Sequence, residues 1–291
     1  MRSPITAAVI ASLLALLGLV LPLALLPSGA AIGLYTLRRG AAAGMQVLAL
    51  ALVLAFAAAQ LLGFGKELAL VGCGIGVPTW LLAIALRRTS NQGIALTVAG
   101  GFAAIFVFGT YQVLSDPGPW WTARLEAIRT ALPEQGRGTL LEMFDLAELG
   151  EQMTSEVANY ILLMLFAVLL LARWWQSLLY NAGGFRKEFH ALALPRRMSY
   201  VVIVLLAAAL IGTASEASSP VTDLLHVAMM MFAVHGLAVI HFFAAARSFG
   251  SLWLAPIYLL FLFAPPLLAI LGIADGLLDL RRLRPSGKAD A

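Results

Sequence analysis

Charge is what this sequence has least of: 12% of its 291 residues are Asp, Glu, Lys or Arg, against 61% hydrophobic. A water-soluble fold could not cover such a chain, so that class is excluded. There is one cysteine, Cys73, which rules out an intramolecular disulfide and any zinc site built from several cysteines. The formal charge of +4 is not a nucleic-acid signal, because the positive residues fall in short clusters between long uncharged runs. No P-loop, zincin, kinase or hydrolase pattern is present. The sequence therefore predicts neither an enzyme nor a cofactor, and no nucleic-acid partner.

What is there is apolar length. Eight runs lack Asp, Glu, Lys and Arg: Ser3 to Leu37, Gly40 to Gly65, Leu68 to Leu86, Thr89 to Ser115, Val157 to Ala172, Met198 to Ser215, Leu224 to Ala246 and Ser248 to Ala274. A hydrocarbon core about 30 Å thick takes roughly 20 residues of helix, which most of these runs supply. Unpaired backbone groups are too costly in lipid, and the runs lack the period-two alternation of barrel strands. The expected fold is an all-α, polytopic transmembrane helix bundle of about eight spans, making residues 1–291 a single integral membrane domain. The first run is too long for a signal peptide and continues past the small residues Ser28 to Ala30. Pro22 and Pro27 interrupt it, and a hairpin there would raise the count to nine.

Loop charges set an orientation. Arg38 with Arg39, Arg87 with Arg88, and the segment 173–197, with five positive residues against Glu188 alone, are basic and predict the cytoplasmic side of a bacterial inner membrane. Lys66 with Glu67, the stretch from Asp116 to Glu156, and the turn with Glu216 and Asp223 alternate with them and predict the outer side. After Arg247 either one more crossing or two short helices broken at Pro265 and Pro266 fit, leaving the side of Arg281, Arg282 and Arg284 open.

The external segment 116–151 predicts a break at Asp116 to Pro119, Trp120 and Trp121 at headgroup level, and an interfacial helix from Thr122 to Leu132. After a second break at Pro133 to Gly138, Leu141, Phe144 and Leu149 alternate with Glu142, Asp145 and Glu148, predicting an amphipathic lead into the next span. These carboxylates, with Glu151, read as a solvated helix face or a cation-gathering one.

The cytoplasmic loop 173–197 is the most distinctive stretch. Trp174, Trp175 and Tyr180 predict an interfacial helix end, closed by Asn181, Gly183 and Gly184. Phe185, Phe189 and Leu192 then share one face of an amphipathic turn, with Arg186, Lys187 and His190 opposite, suited to the inner leaflet or to a docking partner. This loop, together with the Gly272 to Arg282 ending, resembles the YybS-like family of predicted bacterial membrane proteins. More loosely the chain is similar to the solute-binding subunits of energy-coupling-factor transporters, which dock on a transmembrane energising partner. What that resemblance implies is a small-solute-binding transporter subunit. The alternative is a scaffold or assembly factor acting through the loop. Ala7, Ala11 and Ala15, four apart on the first helix, suit close docking on such a partner or packing within the chain.

Ionisable groups at membrane depth are functional candidates because they are costly there. Asp223 and His226 share a helix face with Met229 and Met230, consistent with a soft-metal or proton-coupled site or with a capped helix start and core methionines. No metal site is assigned. His235 lies about 180° around the helix from His226. His235 and Asn159 complete the ligand-binding candidates, and His241 is placed near the inner headgroups. Gln46, Gln60 and Asn159 are expected as interhelical hydrogen-bonding groups, and Gly72 with Gly76 as a close-packing pair that buries Cys73.

Overall fold

The computed structural model describes residues 3–61, 63, 65–131, 143–212 and 219–282. Among these the chain is all-α, with no strand. In chain order the helices are α1 (Pro4–Leu17), α2 (Leu25–Arg39), α3 (Ala41–Leu61), α4 (Gly65–Thr89), α5 (Gln92–Val113), α6 (Pro117–Ala131), α7 (Leu146–Tyr180), α8 (Gly184–His190), α9 (Arg196–Gly212), α10 (Pro220–Ala246), α11 (Ala255–Phe263) and α12 (Pro265–Leu278). Five are long and apolar enough to cross a membrane: α3, α4 from Leu70, α5, α7 and α10. A sixth span is available if Leu252–Phe263 and Pro265–Leu278 count together, though they are bent by 105°. The exterior is apolar as well: Val53, Ile105 and Leu262 are each at least 65% exposed. Burial of such side chains is favourable by about 25 cal/mol per Å², so this surface suits lipid rather than water.

The long first run is two helices joined by a 3-10 turn at Pro22–Ala24. Pro22 makes the break, whereas Pro27 sits inside the first turn of α2, where its missing N–H costs nothing. Ser3 caps α1 by accepting from the Ile5 amide at 3.2 Å. At the other end of the chain two helices meet at a break at Ala264, a shape that fits one bent crossing as well as a re-entrant pair. The external segment also differs from expectation. Pro117 to Pro119 open α6 instead of only ending its predecessor, since proline is tolerated where helix N–H groups are unpaired anyway. The amphipathic lead and the next span form one helix, the 35-residue α7. The expected break at 133–138, with Leu132, Leu141 and Glu142, lies outside the described residues, as do Glu216 and Arg284.

The chain divides into two compact units, 1–99 with 163–194 and 238–250, and 100–162 with 195–237 and 251–291. In the first, α1 to α4 pack together. Ala7, Ala8 and Ala11 join Ala31, Tyr35, Val47 and Leu48 in one core, so the alanine stripe is spent on packing within the chain. Two buried serines satisfy backbone carbonyls: Ser12 Oγ donates to Ala8 at 2.6 Å and Ser28 Oγ to Ala11 at 2.8 Å. Side chains at Gly72 and Gly76 would meet Leu52 and Leu48 of α3 at 2.9 and 2.6 Å, so these glycines do set a close approach. Cys73, expected buried beside them, is exposed. One step along a helix is a rotation of about 100°, which turns it off the packed face. Gln46 and Gln60 are likewise exposed, on the outward side of α3, and do not join helices.

In the second unit, α6 is fastened to α7. Trp121 Nε1 donates to Thr154 Oγ1 at 3.0 Å and Thr122 Oγ1 to the Leu146 carbonyl at 3.3 Å, so only part of the tryptophan pair is left for the headgroups. The backbones of α10 and α12 touch. A Cβ at Gly236 would collide with the Leu268 carbonyl, and one at Gly272 with the Phe232 carbonyl. This approach, open only to glycine, delivers the second site described below.

Candidate functional sites: a basic pocket and a buried histidine cluster

The first unit holds a polar cavity of about 330 Å³ lined by Leu37, Leu86, Arg87, Ser90, Arg173, Gln176 and Glu188. Four helices, α2, α4, α7 and α8, contribute to it. α2 stops at Gly40, whose φ of +99° suits glycine and turns the chain into α3. Arg87, in the last turn of α4, donates from its guanidinium to the Leu37 carbonyl. Such a bond satisfies one of the last carbonyls of α2 and sets a cation where the helix dipole favours it. Arg173 of α7 is buried, and its Nε donates to Glu188 Oε2 at 2.7 Å while a second nitrogen reaches Oε1. Its remaining branch donates to Gln176 Oε1 at 3.2 Å. A forked pair of this kind fixes both side chains. Two guanidinium groups against one carboxylate leave a single positive charge in the lining.

The loop residues around this pocket are accounted for one by one. Gly183, with φ +81°, starts α8 after Asn181 and Ala182. Phe185 stacks on Phe189 at 6.3 Å, and Phe189 meets the His241 ring edge-on at 5.3 Å, so the apolar face of α8 is half-buried against the unit. Arg186 and Lys187 are exposed, as is Trp174, with Trp175 half-buried. Tyr180 lies under Arg38, whose guanidinium carbon is 4.4 Å from the ring centre and whose NH1 donates to the hydroxyl at 2.5 Å. Burial, with the Arg186 cation adding to it, holds the His190 imidazole below its ordinary value of 6.5. The Arg173–Glu188 pair was not foreseen from the sequence; its only signal is that Glu188 is the one acid among five positive residues.

The four ligand candidates are all in the second unit and are not gathered into one site. Asp223 is buried and accepts from the Tyr111 hydroxyl at 2.9 Å, in the first turn of a helix capped by Ser219 and begun by Pro220. His226, one turn on, is exposed, so the two do not face a common pocket. Among the described residues no three His, Cys, Asp or Glu side chains form a metal-holding group. Asn159 is buried on α7, its Oδ1 without a partner among the described residues. His235, at 0% exposure, is the centre of a cluster the sequence did not reveal. Its Nε2 lies 2.8 Å from Asp275 Oδ2, and Arg281 NH2 reaches the same oxygen at 2.7 Å. Among the described residues His235 Nδ1, Asp275 Oδ1 and the buried Ser199 Oγ have no hydrogen-bond partner.

Residues 5–280 match the model of a family described as predicted membrane proteins, DUF2232. The chain belongs to this family. The matched span takes in the loop 173–197, the pocket lining and both His235 and Asp275, in line with the YybS-like resemblance. No curated protein and no solved structure matches the chain.

Proposed function

We propose that this membrane protein binds a small anionic solute in the pocket between Arg87 and Arg173, as a non-catalytic, solute-binding component of transport in a bacterial inner membrane. The observation behind this reading is the cavity of about 330 Å³ with one uncompensated positive charge in its lining. That volume falls within the usual range of ligand sites, roughly 300–1,000 Å³. The membrane-depth cavity beside Ser12 and Ser28 measures about 30 Å³, room for about one water. The solute site is therefore assigned to the basic end of the bundle. With no nucleotide motif in the chain, energy for transport would come from a partner subunit. The scaffold reading has less support, because Phe189 and Glu188 of the loop are engaged within the chain itself.

The test is titration of the purified protein, in uncharged-lipid nanodiscs, with inorganic phosphate, phosphomonoesters and small carboxylates, read by calorimetry and thermal midpoint. Saturable binding that weakens about tenfold or more in Arg87→Gln supports the proposal, tenfold being about 1.4 kcal/mol. Absence of binding by every anion, or binding indifferent to that substitution, overturns it.

A further inference from the structure

The His235 cluster belongs to the second unit, and its chemistry differs from that of the pocket. Around a fully buried imidazole stand two charged groups, Asp275 from α12 and Arg281 from the turn that follows it. Among the described residues its other neighbours, Phe232 of the same helix and Gly276 of α12, carry no charge. A fully buried carboxylate needs a cation, and Asp275 has one in Arg281. The histidine is then surplus to charge balance, an unusual expense at membrane depth.

We propose that His235 is a proton-binding site within the membrane domain, at which an added proton competes with Arg281 for the single carboxylate of Asp275. His235 Nε2 is within reach of Asp275 Oδ2 at 2.8 Å, to which it can donate, and of Arg281 NH2 at 3.2 Å, from which it can accept; in the tautomer that donates to Asp275, Nδ1 is left as an unused acceptor. Uptake of one proton from water puts it on Nδ1 and makes the ring an imidazolium, now itself a counter-ion for Asp275. The new Nδ1–H requires an acceptor. Ser199 Oγ and Asp275 Oδ1 are both buried and both without partners among the described residues. A Cβ on Gly276 would sit 2.6 Å from Ser199 Oγ and 3.9 Å from the imidazole Cε1, so this glycine brings the α12 backbone close against both the hydroxyl and the ring edge. Once the imidazolium is formed, Arg281 is the redundant cation. Its side chain is 12% exposed against 2% for Asp275, so it is the member able to leave toward solvent.

The experiment is a pH titration by NMR of the full-length protein labelled with 15N-histidine. The four histidines are assigned by substituting each in turn. The His235 ring signals are followed from pH 4 to 9 in the wild type and in Arg281→Gln. Arg281→Gln, at the edge of the cluster, is expected to bind the proton about tenfold more tightly or better, one unit on the pH scale. Gly276→Ala, whose methyl group would push Ser199 Oγ aside, is expected to weaken it. A His235 signal unchanged across the range in both wild type and Arg281→Gln overturns the proposal. So does a titration that Arg281→Gln leaves in place, because competition for Asp275 is then absent. If the His235 variant used for assignment fails to fold, subtraction of the other three histidines still identifies the signal.

Discussion

His235 and Asp275 are 40 positions apart in the chain, yet Nε2 and Oδ2 lie 2.8 Å from one another in a buried setting. Two glycines make this possible, because Gly236 and Gly272 let the α10 and α12 backbones touch one residue beyond His235 and three before Asp275. Packing and electrostatics are therefore linked, and each is open to test. Gly236→Ala forces a methyl group onto the Leu268 carbonyl. Overpacking of this kind typically costs about 1–3 kcal/mol. A drop of the thermal midpoint is the expected outcome, whereas an unchanged midpoint would mean that the two helices are not held at this distance.

Asp275→Asn tests the ion pair. Removing one partner of a buried pair strands the other, at about 3–5 kcal/mol. Arg281 is partly exposed, so the lower end is expected. The double variant Asp275→Asn/Arg281→Gln should recover part of the loss, giving a non-additive cycle in thermal or denaturant unfolding. Strict additivity would show that the two side chains do not interact.

In the pocket, Glu188 and the arginines act in opposite directions. Glu188→Gln removes the carboxylate that occupies Arg173 and leaves two uncompensated cations. Anion affinity should then rise about threefold to tenfold, while Arg173→Gln should lower it. The same calorimetric titration reads both. A parallel loss in both variants would point to a structural ion pair instead of a binding site.

His190 makes stability depend on pH. Its folded value lies below the ordinary 6.5 through burial first and Arg186 second, so the unfolded chain binds the extra proton more readily. Stability is whole above pH 6.5, falls as the pH drops through that value, and levels off below the folded value. His190→Gln should flatten this part of the profile. Arg186→Gln should reduce the slope without abolishing it, since burial is the larger cause. Hydrogen exchange of α8 across pH 5 to 8 resolves both.

The all-α, apolar character and the five long helices were legible in the sequence because hydrocarbon thickness imposes a minimum apolar length, but about eight spans were expected and five helices, or six with the bent pair, have that length among the described residues. The Pro22 break and the glycine pair on α4 followed from local rules. The opposed placement of His226 and His235 followed from helical rotation: one is exposed and the other fully buried. What the sequence hid were partnerships set by tertiary packing, Arg173 with Glu188 and His235 with Asp275. In the sequence Asp275 is one of two acids, with Asp279, just ahead of a basic tail. Its position on the face of α12 that carries Gly272 was the available signal, since small residues mark the side of a membrane helix that meets another.

Cys73 gives a test of the membrane assignment that needs no engineering, as it is the sole thiol of the chain. It is exposed on α4 near the start of the apolar stretch Leu70–Thr89, so what covers it is the surrounding medium. In liposomes a lipid-soluble maleimide should modify it faster than a charged methanethiosulfonate does. The charged reagent should act far more slowly than on denatured protein, because its charge keeps it out of hydrocarbon. Equal rates for the charged reagent in liposomes and in denaturant would place this face of α4 in water and remove it from the set of crossing helices.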